Sequence, residues 1–396
     1  MRDVGTIVRG IRTPIIKEGD DLANIVVDSV LKAAKSEKFE LEDRDVIAIT
    51  EAVVGISEGN FATLDQIAKD IRNKMDNSNH LGIVYPILSR NRFAVLLSAM
   101  ARATKKITLL SSYPSDEVGN DILYKEDLLK NGVNPSVDVI TEKEYKEKYG
   151  HFKHMFTGVN MYEVYKELVE KEGCQFEMIF SNRPETILDY TKTVINCDIH
   201  TRKETKDALL KAGAEKVLMM SEILNESVDG SGYSPYGLLG SNRSTEERVK
   251  LFPRTGTALV NKVQAIIKER TGKTVEVMVY GDGAFKDPVG KIWELADPVV
   301  SPAYTEGLEG SPNEIKLKYF SENKFKDLKG EELNKAMREE IKAKDKELKG
   351  TMATQGTTPR RYTDLIGSLC DLTSGSGDKG TPVVLIQRYF TNYSND

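Results

Sequence analysis

Hydrophobic and polar positions follow two rhythms along this chain, and each predicts a different element. Residues 4–16, "VGTIVRGIRTPII", are rich in β-branched residues and predict a strand, closed by the turn "KEGDD" with its acidic helix start. In "LANIVVDSVLKAAKSEKFEL" the apolar residues return every three or four positions, the spacing of an amphipathic helix. "DVIAITEAVVGISEG" predicts a strand, a turn and a second short element, and "FATLDQIAKDIRNKM" returns to helical spacing. Residues 1–80 thus predict one β-α-β-α unit.

From 81 to about 220 short apolar runs ("KITLLSS", "VDVIT", "FEMIFS", "TVINCDIH", "KVLMMSE") alternate with helical stretches. That alternation predicts a mainly parallel, helix-covered sheet, a region of its own. The clearest helix is "TRKETKDALLKAGA", with Thr201 as cap, Glu204 completing a capping box and Gly213 at the far end. A long Gly/Ser/Asn/Pro-rich loop, "NESVDGSGYSPYGLLGSNRSTEERVKLFPRTG", precedes the helix "TALVNKVQAIIKERTG" and the strand "TVEVMVYGDGAF". Residues 322–349 are densely charged and predict a solvated helical face. The chain closes on the helix "RYTDLIGSLCDL", the loop "TSGSGDKG" and the strand "TPVVLIQRYF". No internal repeat is present.

Composition narrows the class without naming a chemistry. The 396 residues allow two or three domains, at roughly 100–200 residues each. With 39% hydrophobic and 30% charged residues, the expectation is a soluble globular chain. A net charge of −5 argues against nucleic acid as a partner, since that needs concentrated positive charge. Cys174, Cys197 and Cys370 are odd in number and far apart, which predicts neither a disulfide framework nor a metal-type pair and points to a reducing cytoplasm. No apolar run approaches the ~20 residues of a membrane span, and residues 1–21 lack the apolar core of a signal peptide.

Two aspartates stand among small residues. Asp282 lies between glycines just past a strand, where a carboxylate can approach a metal and phosphate closely, or can close an Asx turn on its own backbone. Asp229 in "NESVDGSG" carries the same two readings. Of His80, His151, His154 and His200, only the "HFKH" pair is closely spaced, and with no third ligand nearby it predicts ordinary surface or core histidines. "SRNRFAVLLSAMARATKK" predicts an amphipathic helix with basic edges. Neither a nucleophile elbow nor a dinucleotide fingerprint is found. The Gly/Ser loop 374–380 follows a helix and opens a strand, so on its own it reads as a connection; the familiar phosphate loop opens a helix.

Four blocks in order resemble the coenzyme F-420-0:L-glutamate ligases, the gamma-glutamyl ligases of the deazaflavin coenzyme. "GIRTPIIKEGDD…LEDRDVIAITEAVVGISEG" is similar to that family's opening, and "NESVDGSG" matches its N-x-G-x-D-x-S-N in part. "YGDGAFKDP" is a looser match, and "DLIGSLCDLTSGSGDKGTPVVLIQRY" follows its end closely. The resemblance implies a mixed α/β, or α+β, gamma-glutamyl-ligase-like fold from residues 1–80 and 215–396, with 81–214 as an inserted α/β region. It implies GTP (or ATP) as co-substrate and Mg2+ or Mn2+ as metal. An amide between a carboxyl-bearing acceptor and L-glutamate, made through an acyl phosphate, is the implied reaction, and a cytoplasmic homodimer the implied form. Asp229 and Asp282 fall on the catalytic metal-binding aspartates, and Asp378 is a further candidate ligand. Ile11, Arg12, Thr13, Thr50, Glu51, Ser374, Gly375, Ser376, Gly377, Lys379 and Gly380 fall on the nucleotide-binding segments, where backbone N–H groups can nest an anion without a helix. The chain departs from the family pattern at Gly283 (a metal-contacting threonine), Ile56 (a lysine) and Gly232 (an asparagine). These departures leave a nucleotide-binding protein without catalysis as the alternative.

Overall fold

The two rhythms of the sequence resolve into two units, each with its own core. The computed structural model describes residues 3–85, 92–116, 119, 121–154, 158–199, 201–281, 284–286, 293–295, 300–355, 357, 360–373 and 377–395. One unit takes in residues 1–57, 255–285 and 294–396, the other 58–254 and 286–293. The first begins with strand β1 (Ile7–Ile11) and helix α1 (Leu22–Glu37). Asp21 caps α1 by accepting from the Asn24 N–H, and Leu22, Val26, Val27 and Val30 form the buried stripe that the helical spacing predicted. Strand β2 (Val46–Thr50) is wholly buried and runs directly into helix α2 (Glu51–Ser57).

In the second unit, helix α3 (Leu64–Lys74) starts at a complete capping box formed by the Thr63 hydroxyl and the Gln66 side chain. Strand β3 (His80–Val84), helix α4 (Arg92–Arg102), strand β4 (Lys106–Ser111), helix α5 (Met161–Lys171), strand β5 (Gln175–Phe180), strand β6 (Thr193–Asn196), helix α6 (Arg202–Lys211) and strand β7 (Lys216–Met219) follow. The sheet order is β5-β4-β3-β6-β7 and every pairing is parallel, the helix-covered sheet expected from the alternating runs. One face packs on α3, α4 and α5 through residues such as Ile67, Leu97 and Tyr165. The other packs Val84, Leu110 and Val194 on Leu209 of α6 and on Ile187 and Leu188. Residues 81–214, expected as an inserted region, all belong to this unit, which also takes in 58–80 and 215–254.

Two local expectations are corrected here. "VDVIT" is not a strand: only Ile140 pairs, as an isolated bridge to Phe180. Thr201 stands at the N-cap of α6 but forms no capping box, because its hydroxyl donates to Asp198 Oδ2 instead (2.7 Å).

The chain then returns to the first unit with helix α7 (Gly256–Thr271), strand β8 (Glu276–Gly281), strand β9 (Val300–Tyr304), helix α8 (Gly330–Ala343), helix α9 (Tyr362–Thr373) and strand β10 (Val383–Gln387). The sheet order is β1-β10-β2-β8-β9, with β2 and β8 parallel and the other pairs antiparallel. Ile47, Ile49, Val277, Val279, Val383 and Leu385 face α1 and α7, while Ala48, Met278, Val384 and Ile386 face Ile366 and Cys370 of α9. Covered on both faces, these strands read as continuous apolar runs instead of alternating ones. The charged stretch 322–349 contains α8, which buries only Met337 and Ile341. Among the described residues no helix is long and apolar enough to cross a membrane.

Candidate active site

Three segments far apart in sequence meet at one end of the first unit's sheet. Strand β1 ends at Ile11, and two residues on the Thr13 N–H donates to the Gly380 carbonyl (3.3 Å). Gly380 closes a turn by donating to the Gly377 carbonyl (2.9 Å) with its φ at +65°, so Gly377, Asp378 and Lys379 sit on a tight loop beside Arg12 and Thr13. The register also places Thr50 here: it pairs with Tyr280 across the parallel strands, and its N–H donates to the Pro382 carbonyl (3.0 Å). Glu51 follows and packs so closely on Gly281 that a Cβ there would stand 2.5 Å from Glu51 Cγ. Only glycine admits that approach. Asp282 comes next in sequence; it, Gly283, Ser374, Gly375 and Ser376 lie outside the described residues.

A cavity of about 680 Å3 opens beside this junction, between β1 and α1. Ile11, Arg12 and Lys379 line it, whereas Thr13, Thr50 and Glu51 do not. Arg9, Lys32 and Phe39 complete its cationic and aromatic wall, and Glu37 is the single acid among its described lining residues. Arg9 is fixed by Gln387 Oε1 (2.5 Å) and lies over the Phe39 ring, 4.3 Å from the centroid. Arg12, Lys32 and Lys379 have no carboxylate partner among the described residues. Three such cations around one space set up a positive potential that favours an anion. Lys32 was not singled out from sequence, although Ser29, Lys32 and Ser36 share a face of α1 by their spacing of three and four.

Asp229 belongs to the other unit. Both of its carboxylate oxygens accept from Lys69 Nζ, at 2.8 and 2.6 Å, and its backbone carbonyl accepts from Gln66 Nε2 (3.1 Å). Its φ is +49° and that of Gly230 is +73°, so the residue is held in a tight turn. The lysine occupies both oxygens of the Asp229 carboxylate, and among the described residues no group of three His, Cys, Asp or Glu converges. The histidines have other duties: His80 Nε2 meets Thr108 Oγ1 (2.9 Å) and His151 Nε2 meets Asp127 Oδ2 (2.8 Å), while His200 is outside the described residues.

Two departures from the family pattern have local causes. Ile56 lies at the end of α2 and packs against the core beneath α1 and α7, so the fold turns that position inward. At Gly232 a Cβ would stand 2.4 Å from Asn60 Oδ1 and 2.7 Å from the Phe61 nitrogen. Asn60 is fully buried there, donating to the carbonyls of Tyr233 (2.9 Å) and Phe252 (2.8 Å) and accepting from the Tyr233 N–H (3.0 Å). No side chain fits that loop.

Comparison with protein families settles the relationship. A family model described as F420-0:Gamma-glutamyl ligase matches residues 10–388, nearly the whole chain. The chain belongs to the gamma-glutamyl ligase family. The match begins at the last residues of β1 and ends just past β10, so apart from Arg9 it includes every described residue of the candidate site. No curated protein matches the chain.

Proposed function

We propose that this gamma-glutamyl ligase family member joins L-glutamate to a carboxyl-bearing acceptor at the expense of a nucleoside triphosphate, GTP by expectation and ATP as the other candidate. The observation that carries the reading is the group of cations without a carboxylate partner among the described residues, Arg12, Lys32 and Lys379, around one cavity beside the Gly377–Gly380 turn. In this reading Arg12 and Lys379 balance the charge of the triphosphate, and the turn offers backbone N–H groups to its oxygens. The γ-phosphoryl group passes to the acceptor carboxylate, giving an acyl phosphate and a nucleoside diphosphate. The glutamate α-amine then attacks the acyl carbon, an amide C–N bond forms, phosphate leaves with the electrons of the broken C–O bond, and the amine's proton goes to solvent. Magnesium or manganese enters only as a counter-ion of the nucleotide, and the homodimer is part of the same proposal.

The test is a thermal-shift panel with GTP and ATP, each with and without magnesium or manganese, followed by phosphate release on adding glutamate and an acceptor. Stabilisation by one nucleotide and phosphate release that needs both substrates are expected; no stabilisation by either nucleotide rejects the site. The Lys69–Asp229 pair favours a second reading, a nucleotide-binding protein that does not ligate. That reading predicts stabilisation without phosphate release.

A further inference from the structure

The second unit has a crevice of its own, independent of the ligase reading. Chain order reverses direction across its parallel sheet at β3: β4 and β5 are added on one side, β6 and β7 on the other. Connections leaving the carboxyl ends of strands on either side of such a reversal pass to opposite faces of the sheet, and the gap between them is where open α/β sheets bind small molecules. A cavity of about 210 Å3 lies at those carboxyl ends. Val84 closes β3, Leu110 and Ser112 flank the end of β4, Ser181 follows β5 and Asp198 follows β6.

The lining divides by polarity. Val84, Leu110 and Pro184 give it an apolar wall, and the rest is polar, with no lysine or arginine among the described lining residues. Asp198 is only 3% exposed and accepts from the Thr201 N–H (3.0 Å), Thr201 Oγ1 (2.7 Å) and Thr205 Oγ1 (2.6 Å). An ionised carboxylate has about four acceptor sites, so one is left for a donor in the cavity. Both threonine hydroxyls spend their protons on Asp198 and so face a ligand as acceptors. The lining thus presents acceptors and one negative charge to one side of a ligand and C–H groups to the other, which suits hydroxyl donors and repels an anion. The volume is below the ~300–1,000 Å3 of drug-sized sites. We propose that this crevice binds a polyhydroxylated small molecule without an anionic group, the size of a single sugar ring.

Saturation-transfer NMR on the full chain tests this with D-ribose, D-glucose and D-ribose 5-phosphate as probes, and Thr201→Trp distinguishes this crevice from the first unit's cavity. Transfer to the ring protons of ribose or glucose is expected, and its loss in Thr201→Trp, which plugs the rim from an exposed position. Asp198→Asn should weaken it too, but that variant can fail to fold; Thr201→Trp, checked for an unchanged urea midpoint, keeps the test decisive. No transfer to either neutral sugar, transfer unaltered in Thr201→Trp, or transfer to the phosphorylated sugar alone overturns the proposal.

Discussion

At Gly232 a side chain is excluded by Asn60 and the Phe61 backbone, so restoring the family's asparagine there forces a buried loop apart. Gly232→Asn should cost about 1–3 kcal/mol, the range for overpacking, read as a lower urea midpoint. A midpoint equal to wild type shows that the loop gives way freely. In the cavity of the first unit, Arg12→Ala and Lys379→Ala should each weaken nucleotide binding by about 1.5–3 kcal/mol, roughly 10- to 100-fold, if each makes a charge-assisted hydrogen bond. Calorimetry showing wild-type affinity in both variants removes them from the site. His80 supplies a pH signature. Burial lowers its imidazole below the ordinary range, Lys106 adds repulsion and Glu177 opposes. The folded chain then binds fewer protons than the unfolded one just below about pH 6.5, so stability rises with pH through that window and levels off above it. His80→Asn should flatten that part of the urea-midpoint profile, and an unchanged slope assigns the effect elsewhere. Arg12 and Lys379 were legible because they sit in quotable motifs. Lys32 was not, since a lysine on an amphipathic helix looks like any solvated residue until the strand beside it is known.

Element by element, the sequence spoke most clearly where local chemistry and burial agree. The α1 stripe and the all-apolar runs of β2, β8 and β10 could be read directly, because both faces of those strands are covered. "VDVIT" misled because its β-branched residues lie in a loop that pairs with the sheet only at Ile140. Thr201 misled for another reason: Asp198, three positions earlier, takes its proton, a competition that helix spacing does not reveal. At α3 nothing competes, and Thr63 and Gln66 close the box in both directions. Thr63→Ala should therefore cost about 1 kcal/mol in a urea titration, whereas Thr63→Ser should cost much less. Equal losses in the two variants mean that the methyl group matters and the hydroxyl does not.

For the whole molecule, the division into two units is the feature least visible in sequence, because the first is assembled from three separate stretches. Residues 58–254, by contrast, form one continuous stretch that holds both apolar clusters of the parallel sheet. Expressed alone, that stretch should unfold cooperatively in urea by circular dichroism; a broad, non-sigmoidal transition shows that it depends on the remainder of the chain. The first unit has no such independence. Its last strand, β10, lies between β1 and β2, so Ile7 waits for Gln387 and Val46 for Ile386. On the ribosome, the parallel sheet can close while synthesis continues, but the other sheet stays split until β10 has been made. Pairings so distant in sequence are also slow to form, and unpaired β1 and β2 are exposed for all that time. A stop codon before Val383 thus removes the middle of a sheet and not its edge. The nascent chain is most vulnerable to proteolysis and aggregation until β10 emerges.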